Sequence, residues 1–354
     1  MLLTFVSFIV VLGVVVFVHE AGHFFAAKAV GARVEAFSLG FGKLIGIKRG
    51  ETEYRLGYIP LGGYVKISGM IDEFGGDEIT GEPWEFQSKN TLQKAFVITA
   101  GVLMNFLLGF ILYTGIAWVK GEAVIDPSPV IGSISQGFPA EEAGLLPGDR
   151  ILSVDGNAIA SWEEFRDAVH AKPAMDVNLV WLSGADTVAA TMTTKSQAIM
   201  DDDGARDVGM VGVGPNFNRE PVTIGEGVSL GARMTVNVLG LSIKSIQMLF
   251  TGQASVKDLT GPAGIVYLSG ETARAGWETF LGFIALISIS IGLLNILPFP
   301  VLDGGHLVFI LIEAVIRRPV SGRIKIVAQN VGMVLLLALV LVVTYHDIFR
   351  FFID

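Results

Sequence analysis

The chain has 354 residues, of which 51% are hydrophobic and only 17% are charged, and its mean hydropathy is +0.59. A soluble core does not need so many apolar residues, so the composition predicts an integral membrane protein. The absence of cysteine excludes disulfides, thiolate metal ligands and cysteine nucleophiles. A net charge of −9, with no basic run longer than two residues, argues against nucleic acid as a partner.

The first predicted element is a membrane span within residues 1–32. A charge-free apolar run extends from Leu2 to Val18 and leads directly into His19-Glu20-Ala21-Gly22-His23. On a helix, histidines four residues apart project from one face and can share one Zn²⁺, with the adjacent glutamate as general base. The motif therefore predicts a metal at membrane depth. The alternative is that His19 and His23 are interfacial residues at a helix end.

The same apolar run has a second alternative interpretation, a secretory signal peptide. Ala27-Lys28-Ala29 mimics a cleavage site. However, the run has no basic residues before it and its apolar stretch is too long for a signal peptide, so a membrane span is favoured.

Residues 33–94 are predicted to form a cytoplasmic loop, followed by a second span at residues 95–119. Within the loop, the stretch from Tyr54 to Lys66 alternates and turns like a β-hairpin. Alternation alone does not report depth, so a soluble cytoplasmic hairpin remains the alternative.

Residues 126–219 change to short alternating strands with turn signals, including Leu146-Pro147-Gly148-Asp149. This part resembles a PDZ domain of bacterial envelope proteases. Ser161 and Glu164 form a capping box that predicts a helix from there to about His170. PDZ modules commonly add an extended peptide to a strand edge, and the resemblance places that edge at Ile131, Gly132, Ser133 and Ile134. The alternative is a steric gate that excludes bulky substrates.

Residues 220–276 are predicted to be a linker containing a helix, at about residues 224–250, on the outer membrane surface. An ordinary helix packed on the insertion is the equal alternative. Residues 277–316 are predicted to carry the third span, and residues 325–348 the fourth.

The segment between spans three and four sets the predicted orientation. It contains Arg317, Arg318, Arg323 and Lys325, and basic short loops stay in the cytoplasm. Both termini are then outside and residues 120–278 are exported. Span one and span three both run from outside to inside, and their cytoplasmic ends carry His19, His23 and Asp303.

Asp303 is the predicted third metal ligand. A carboxylate at membrane depth is costly unless it is paired or coordinated, so it indicates a functional role. The alternative is that Asp303 caps the helix that begins at Gly304. Three of the five histidines fall in two segments, the motif from His19 to His23 and the segment around Asp303. That grouping favours the metal site.

The chain resembles the site-2 protease family of intramembrane zinc metalloproteases, in its RseP-type branch, over nearly its whole length. The segments that carry the resemblance are His19 to His23, Ala100 to Phe106, the PDZ-like insertion, Thr260 to Ile265, and Asn295 to His306. The chain departs from the family where Val102 replaces a common proline and where one PDZ unit stands instead of two.

The resemblance implies zinc bound by His19, His23 and Asp303, with Glu20 activating water. It implies that Asn295 holds the substrate backbone and that Gly62, Gly63 and Tyr64 in the hairpin add the substrate as another strand. Asn295 could instead bond another helix. His306 either orients Asp303 or faces the cytoplasmic interface.

The predicted protein is therefore a polytopic α-helical membrane protein with four transmembrane helices, a cytoplasmic-side membrane-associated β-hairpin and one exported PDZ domain. It is expected to be a zinc endopeptidase of the bacterial inner membrane, with its active site in the cytoplasmic half of the bilayer. Its expected partners are the lipid bilayer, single-span substrates such as anti-sigma factors or remnant signal peptides, and a C-terminal peptide at the PDZ unit. The alternatives are a membrane zinc transporter or sensor, and a PDZ scaffold.

Overall fold

A computed structural model of the chain describes residues 1–70, 80–201, 204–253, 255 and 259–353. The chain divides into two compact units. The first unit joins Met1–Val119 to Thr223–Asp354, and the second unit is Lys120–Val222.

Four helices of the first unit are long and apolar enough to cross a membrane. They are α1 (Leu2–Ala29), α2 (Thr91–Lys120), α7 (Trp277–Asn295) and α9 (Gly322–Ile348). A span of about 30 Å needs roughly 20 apolar residues in helical form, and each run meets that length or comes close to it. The predicted number of spans is confirmed by length and composition.

The third predicted span is not one continuous helix. Helix α7 ends at Asn295, and a second helix, α8 (Asp303–Ile316), begins after a seven-residue break. The break contains Pro298 and Pro300, which lack the backbone donor that a continuous helix requires. The single segment predicted for residues 277–316 is therefore two helices, and the break lies beside Asp303.

A four-stranded sheet follows α1 and replaces the predicted hairpin. Its strands are β1 (Val34–Phe41), β2 (Ile45–Arg49), β3 (Thr52–Leu56) and β4 (Ile59–Ile67), in the order β2-β3-β1-β4. Strand β1 pairs in parallel with β3 and antiparallel with β4. The prediction that residues 54–66 form a hairpin is therefore wrong, because β1 lies between the two strands.

Strand β4 is an edge strand of this sheet and packs against α1. Gly63 on β4 lies so close to α1 and β1 that an added Cβ would be 2.9 Å from Val16 Cγ1 and 2.8 Å from the Ser38 oxygen. The end of α1, the start of α2 and helix α8 (Asp303–Ile316) share one apolar core with the sheet. Its buried members include Ala26, Ala27, Val34, Ile67, Ile98 and Ile310.

Helix α5 (Ile224–Phe250) packs along two membrane-spanning helices. Glycines at positions 227 and 231 allow close contact with Trp118 and Thr114 of α2. Further along α5, Val238 and Leu239 pack with residues of α2 and α7. These contacts are with α2 and α7, whereas the sequence predicted either a helix on the outer membrane surface or one packed on the insertion.

Helix α6 (Pro262–Arg274) was not predicted, and a buried carboxylate holds its N-terminus. Asp347, near the end of α9, accepts hydrogen bonds from the backbone N–H groups of Gly261, at 2.9 Å, and Gly264, at 2.8 Å. A carboxylate at a helix N-terminus satisfies donors that have no intrahelical partner. Nearer its other end, α9 contacts the break between α7 and α8, where Gly332 lies against Pro300 and Val301.

The second unit is a small mixed domain with its own apolar core, which includes Phe165 and Trp181. Its elements are β5 (Glu122–Ile125), β6 (Ile131–Ile134), α3 (Pro139–Glu142), β7 (Arg150–Val154), β8 (Asn157–Ala158), α4 (Trp162–His170), β9 (Asp176–Ser183), β10 (Asp186–Thr193), β11 (Lys195–Asp201), β12 (Gly204–Met210), β13 (Val213–Pro215) and β14 (Phe217–Glu220). The strand-rich insertion predicted for residues 126–219 lies within this unit.

The predicted helix at residues 161–170 is confirmed as α4. The Ser161 side chain accepts a hydrogen bond from the Glu164 N–H, and the Glu164 carboxylate reaches back to the Ala160 N–H. The second bond therefore goes one residue further back than a capping box predicts, and the helix still begins where the sequence indicates.

We expect Asp347→Ala to destabilise the first unit, because it leaves the buried N–H groups of Gly261 and Gly264 without an acceptor. Each unpaired buried donor costs about 1–3 kcal/mol. The measurement is the thermal unfolding midpoint of the purified chain in detergent. Asp347→Asn keeps one acceptor oxygen and should lose less stability. The exposed neighbour substitution Leu341→Ala is the control, and a loss in that variant equal to the loss in Asp347→Ala would contradict the assignment.

Candidate metal centre

The C-terminal half of α1 presents His19 and His23 side by side. Residues four apart lie on one helix face, and the two Nε2 atoms are 3.2 Å from each other. Both side chains are largely buried, with 12% and 10% of their surfaces exposed. The predicted histidine pair is therefore formed by the helix itself.

Asp303 joins the pair from the first residue of α8. Its Oδ2 lies 3.2 Å from His19 Nε2 and 3.4 Å from His23 Nε2. The chain folds back tightly at this point because Gly304 and Gly305 have no side chain. An added Cβ at either glycine would lie 2.2 Å from a backbone oxygen of the break. The two glycines thus let the broken helix bring the carboxylate to α1.

These three atoms fit a tetrahedral zinc ion. Ligand atoms about 2.0–2.1 Å from such an ion lie roughly 3.3 Å from one another, and the three distances here are of that size. The buried Asp303 Oδ2 has no hydrogen-bond partner among the described residues. A cation among the three atoms would accept a lone pair from each. Two histidines and one carboxylate also match the donor set of catalytic zinc sites.

Helix α2 orients both imidazole rings. The Nδ1 atom of His23 is 2.8 Å from the Val97 backbone oxygen. The Nδ1 atom of His19 is 3.3 Å from Nδ2 of Asn105. Partners on the second ring nitrogen fix which nitrogen faces the metal. Sequence reasoning gave Asn105 no role, although it lies in the Ala100 to Phe106 segment of the family resemblance.

Close approach of α1 and α2 makes this orientation possible. An added Cβ at Gly22 would lie 2.5 Å from the Ala100 oxygen, and one at Gly101 would lie 2.3 Å from His23 Nε2. Any side chain at Gly101 would therefore occupy space that the ligand imidazole uses. The residues on either side of Gly101 in the sequence do not indicate that this position must be glycine.

A cavity of about 270 Å³ adjoins the three ligand side chains. It brings together most of the residues that the sequence singles out, and these come from α1, β4 and both sides of the helix break. The lining includes Glu20, Gly62, Gly63, Tyr64, Asn295 and His306. The site therefore has room beside the candidate metal position for a narrow polypeptide segment.

Asn295 and His306 occupy different positions at this cavity. The Asn295 Nδ2 atom is 3.4 Å from His19 Nε2, at the metal-facing side. The His306 Nε2 atom is 3.3 Å from Nε2 of Gln329, a buried residue of α9. The contact that holds the His306 ring is thus to α9, and the prediction that it orients Asp303 is not supported by a direct hydrogen bond between the described side chains.

The predicted peptide-binding strand is β6 of the second unit. Strand β13 pairs along one edge of β6. On the other edge, the Ile131 N–H donates to the Asp149 oxygen and the Ile131 oxygen accepts from the Gly148 N–H. A peptide that paired along Ile131 would displace these two bonds. Among the described strands β6 pairs with β13 alone, so peptide binding along Ile131, Gly132, Ser133 and Ile134 stays a prediction.

Comparison with known proteins identifies a family. The chain matches Peptidase family M50 over residues 7–339. A protein of Clostridium perfringens that is named a zinc metalloprotease is 34% identical over 335 residues, which cover 94% of this chain and 95% of that protein. A protein of Agrobacterium fabrum with the same description is 33% identical over 360 residues, which cover 97% of this chain and 95% of that protein.

Among solved structures, the PDZ domain of the SdrC-like protein of Listeria monocytogenes is 27% identical and covers 26% of this chain and 90% of that domain, with a TM-score of 0.21. A TM-score this low does not establish a shared fold. The family match, in contrast, includes both segments that supply the three ligand side chains. The chain therefore belongs to peptidase family M50 and is a metalloprotease.

Proposed function

We propose that this metalloprotease is a zinc-dependent intramembrane endopeptidase that cleaves the transmembrane segments of single-span membrane proteins. The observation that carries the proposal is that Asp303 meets His19 and His23 on α1, a helix long and apolar enough to cross a membrane. Membership of a protease family removes the reason to retain a zinc transporter, a zinc sensor or a scaffold as the function.

His19, His23 and Asp303 would hold the zinc ion, and Glu20 would act as the general base. A bound zinc ion polarises a peptide carbonyl and acidifies water. Glu20 lies on the same helix as the histidines and lines the cavity beside them. From there its carboxylate takes a proton from the attacking water and gives it to the departing amine.

The edge of β4 that faces away from β1 would hold the substrate in an extended form. A transmembrane helix shields its peptide bonds with its own hydrogen bonds, so a protease must unwind it and supply other partners. In the described part of the chain β4 pairs only with β1, and its residues 62–65 line the cavity. Strand addition would therefore bring a substrate backbone alongside the metal site.

Asn295 would bind the substrate backbone close to the scissile bond. Its amide can both donate and accept, as an unwound peptide requires. The amide nitrogen lies 3.4 Å from His19 Nε2 on α1, which is a contact between two helices. The support for substrate contact is the position of Asn295 in the wall of the cavity, beside the metal ligands.

We further propose a location in the bacterial inner membrane, with both termini outside and the metal centre in the cytoplasmic half. The arginines after α8 support this orientation. The second unit is then exported. Because Ile131 already bonds to Gly148 and Asp149 on the edge of β6 away from β13, we favour a role for this unit in excluding bulky substrates over peptide capture at β6. The substrates would be anti-sigma factors already trimmed outside, or remnant signal peptides.

Replacing Glu20 with glutamine should abolish turnover and leave metal binding intact. The amide has nearly the same shape but cannot take a proton, so cleavage of a model transmembrane substrate should fall by about 10²–10⁴-fold. Zinc content and cleavage are measured on the same purified sample. Membrane proteomics of cells carrying this variant should show uncut membrane stubs that name the substrates. Retained cleavage would contradict the role of Glu20.

Zinc stoichiometry should depend on both helices that supply ligands. His23→Ala and Asp303→Asn each remove one of three ligands and should lower the zinc content from about one ion per chain towards zero. Metal analysis after dialysis measures this. His346→Ala, which removes a histidine from the far end of α9, is the matched control and should retain zinc. Full zinc content in both ligand variants would show that the site is wrongly assigned.

Gly63→Ala should impair cleavage without removing zinc. The added Cβ would lie within 3 Å of Val16 and the Ser38 oxygen, so β4 must move away from the metal site. We expect a loss of about tenfold or more in cleavage, because misplacement by about 1 Å can cost 10²-fold. Gly115→Ala is the control, since an added Cβ there meets no atom within 4 Å. Equal activity in the two variants would contradict the proposed role of β4.

A further inference from the structure

Asn105 occupies an unusual position for an amide side chain. It lies on α2, is 0% exposed, and its backbone oxygen accepts a hydrogen bond from Ser288 at 2.8 Å. Its side-chain nitrogen is 3.3 Å from Nδ1 of His19. Its side-chain oxygen is buried and has no partner among the described residues. A buried amide with an unused acceptor beside an imidazole nitrogen needs a physical explanation.

The explanation is the tautomer of His19, that is, which of its two ring nitrogens carries the hydrogen. Its Nε2 atom faces Asp303 and His23, so Nε2 is the atom that would bind a metal. A neutral imidazole that binds through Nε2 carries its hydrogen on Nδ1, and that N–H needs an acceptor. An amide nitrogen cannot accept. Rotation of the Asn105 amide by 180° about its Cβ–Cγ bond exchanges nitrogen and oxygen and places the unused oxygen at Nδ1.

We propose that Asn105 is a positioning residue for the metal centre. Its side-chain oxygen accepts the Nδ1–H of His19 and holds the ring with Nε2 towards Asp303. The Val97 backbone oxygen performs the same task for His23. The two ligand rings are thus both oriented from α2, but one partner is a backbone group and the other is a replaceable side chain. This inference rests on the proposed zinc site.

The contact also explains how a remote helix can affect metal binding. Ser288 lies on α7, is fully buried, and bonds the Asn105 backbone. Gly292 on α7 lies next to Asn105, since an added Cβ there would be 3.3 Å from Asn105 Cβ. Asn105 is therefore held between α1 and α7. The part of its side chain that can still rotate is the amide group, which faces His19.

The test compares zinc affinity of the full-length chain in detergent, measured by competition with a chelator. Asn105→Leu has a similar volume and no acceptor, and its zinc dissociation constant should rise by about 10–100-fold. Asn105→Asp keeps an acceptor at Nδ1 and should bind zinc within about threefold of the wild type or more tightly. Ser288→Ala removes a hydrogen bond to the same residue but leaves the amide, and should also stay within about threefold.

The thermal midpoint of each metal-free variant separates positioning from packing. If Asn105→Leu unfolds at the wild-type temperature and still binds zinc like the wild type, the proposal is overturned. It is also overturned if the Leu and Asp variants lose affinity equally, because packing then accounts for both. A wild-type chain that binds no zinc, and matches His23→Ala in this, would overturn the proposed function and the role of Asn105 with it.

Discussion

The metal centre depends on the close approach of α1 and α2. At Gly22 and Gly101 the backbones are too close for any side chain, and the space thus left holds the imidazole of His23. The same approach brings the Val97 oxygen and Asn105 against the outer nitrogens of the two histidines. In lipid there is no hydrophobic force to press helices together, so small residues at the contact are the usual means of tight packing. If α1 and α2 moved apart, the imidazole rings would lose the partners that orient them before any of the three ligand side chains left the site.

The remaining parts of the site come from irregular backbone. Non-helical chain is tolerated at membrane depth only where it is buried in protein or lines a cavity with water. The break between α7 and α8 meets this condition, since it positions Asp303 and lines the cavity with Val301 and Leu302. Strand β4 lines the other side of the same cavity. The helix break, β4 and the helical histidines thus enclose one space, in which an unwound peptide would, under the proposed function, find hydrogen-bonding partners that lipid does not offer.

Local sequence signals predicted some of these elements and not others. Some signals involve only residues of a single helix, and the sequence alone located them. They are the histidine spacing, the apolar runs and the Ser161 cap. The hairpin prediction failed because β3 and β4 are adjacent in sequence, while the strand that separates them, β1, comes some fifteen residues earlier. Strand alternation does not say which strand is the neighbour. The role of Asn105 was missed for a related reason, since its partner lies 86 residues away.

The bond between Asp347 and the start of α6 has a mechanical consequence for α9. To part α9 from α6, two hydrogen bonds to one buried oxygen must break together, and the carboxylate and both donors lose their partners. Near the other end of the helix, two side-chain contacts tie α9 to α8: Lys325 pairs with Glu313 at 2.8 Å, and Gln329 lies 3.3 Å from His306. Both of these residues of α8 belong to the helix that begins with Asp303. The fourth span is therefore anchored at both ends, and any displacement of α9 would be transmitted to the helix that carries the third ligand.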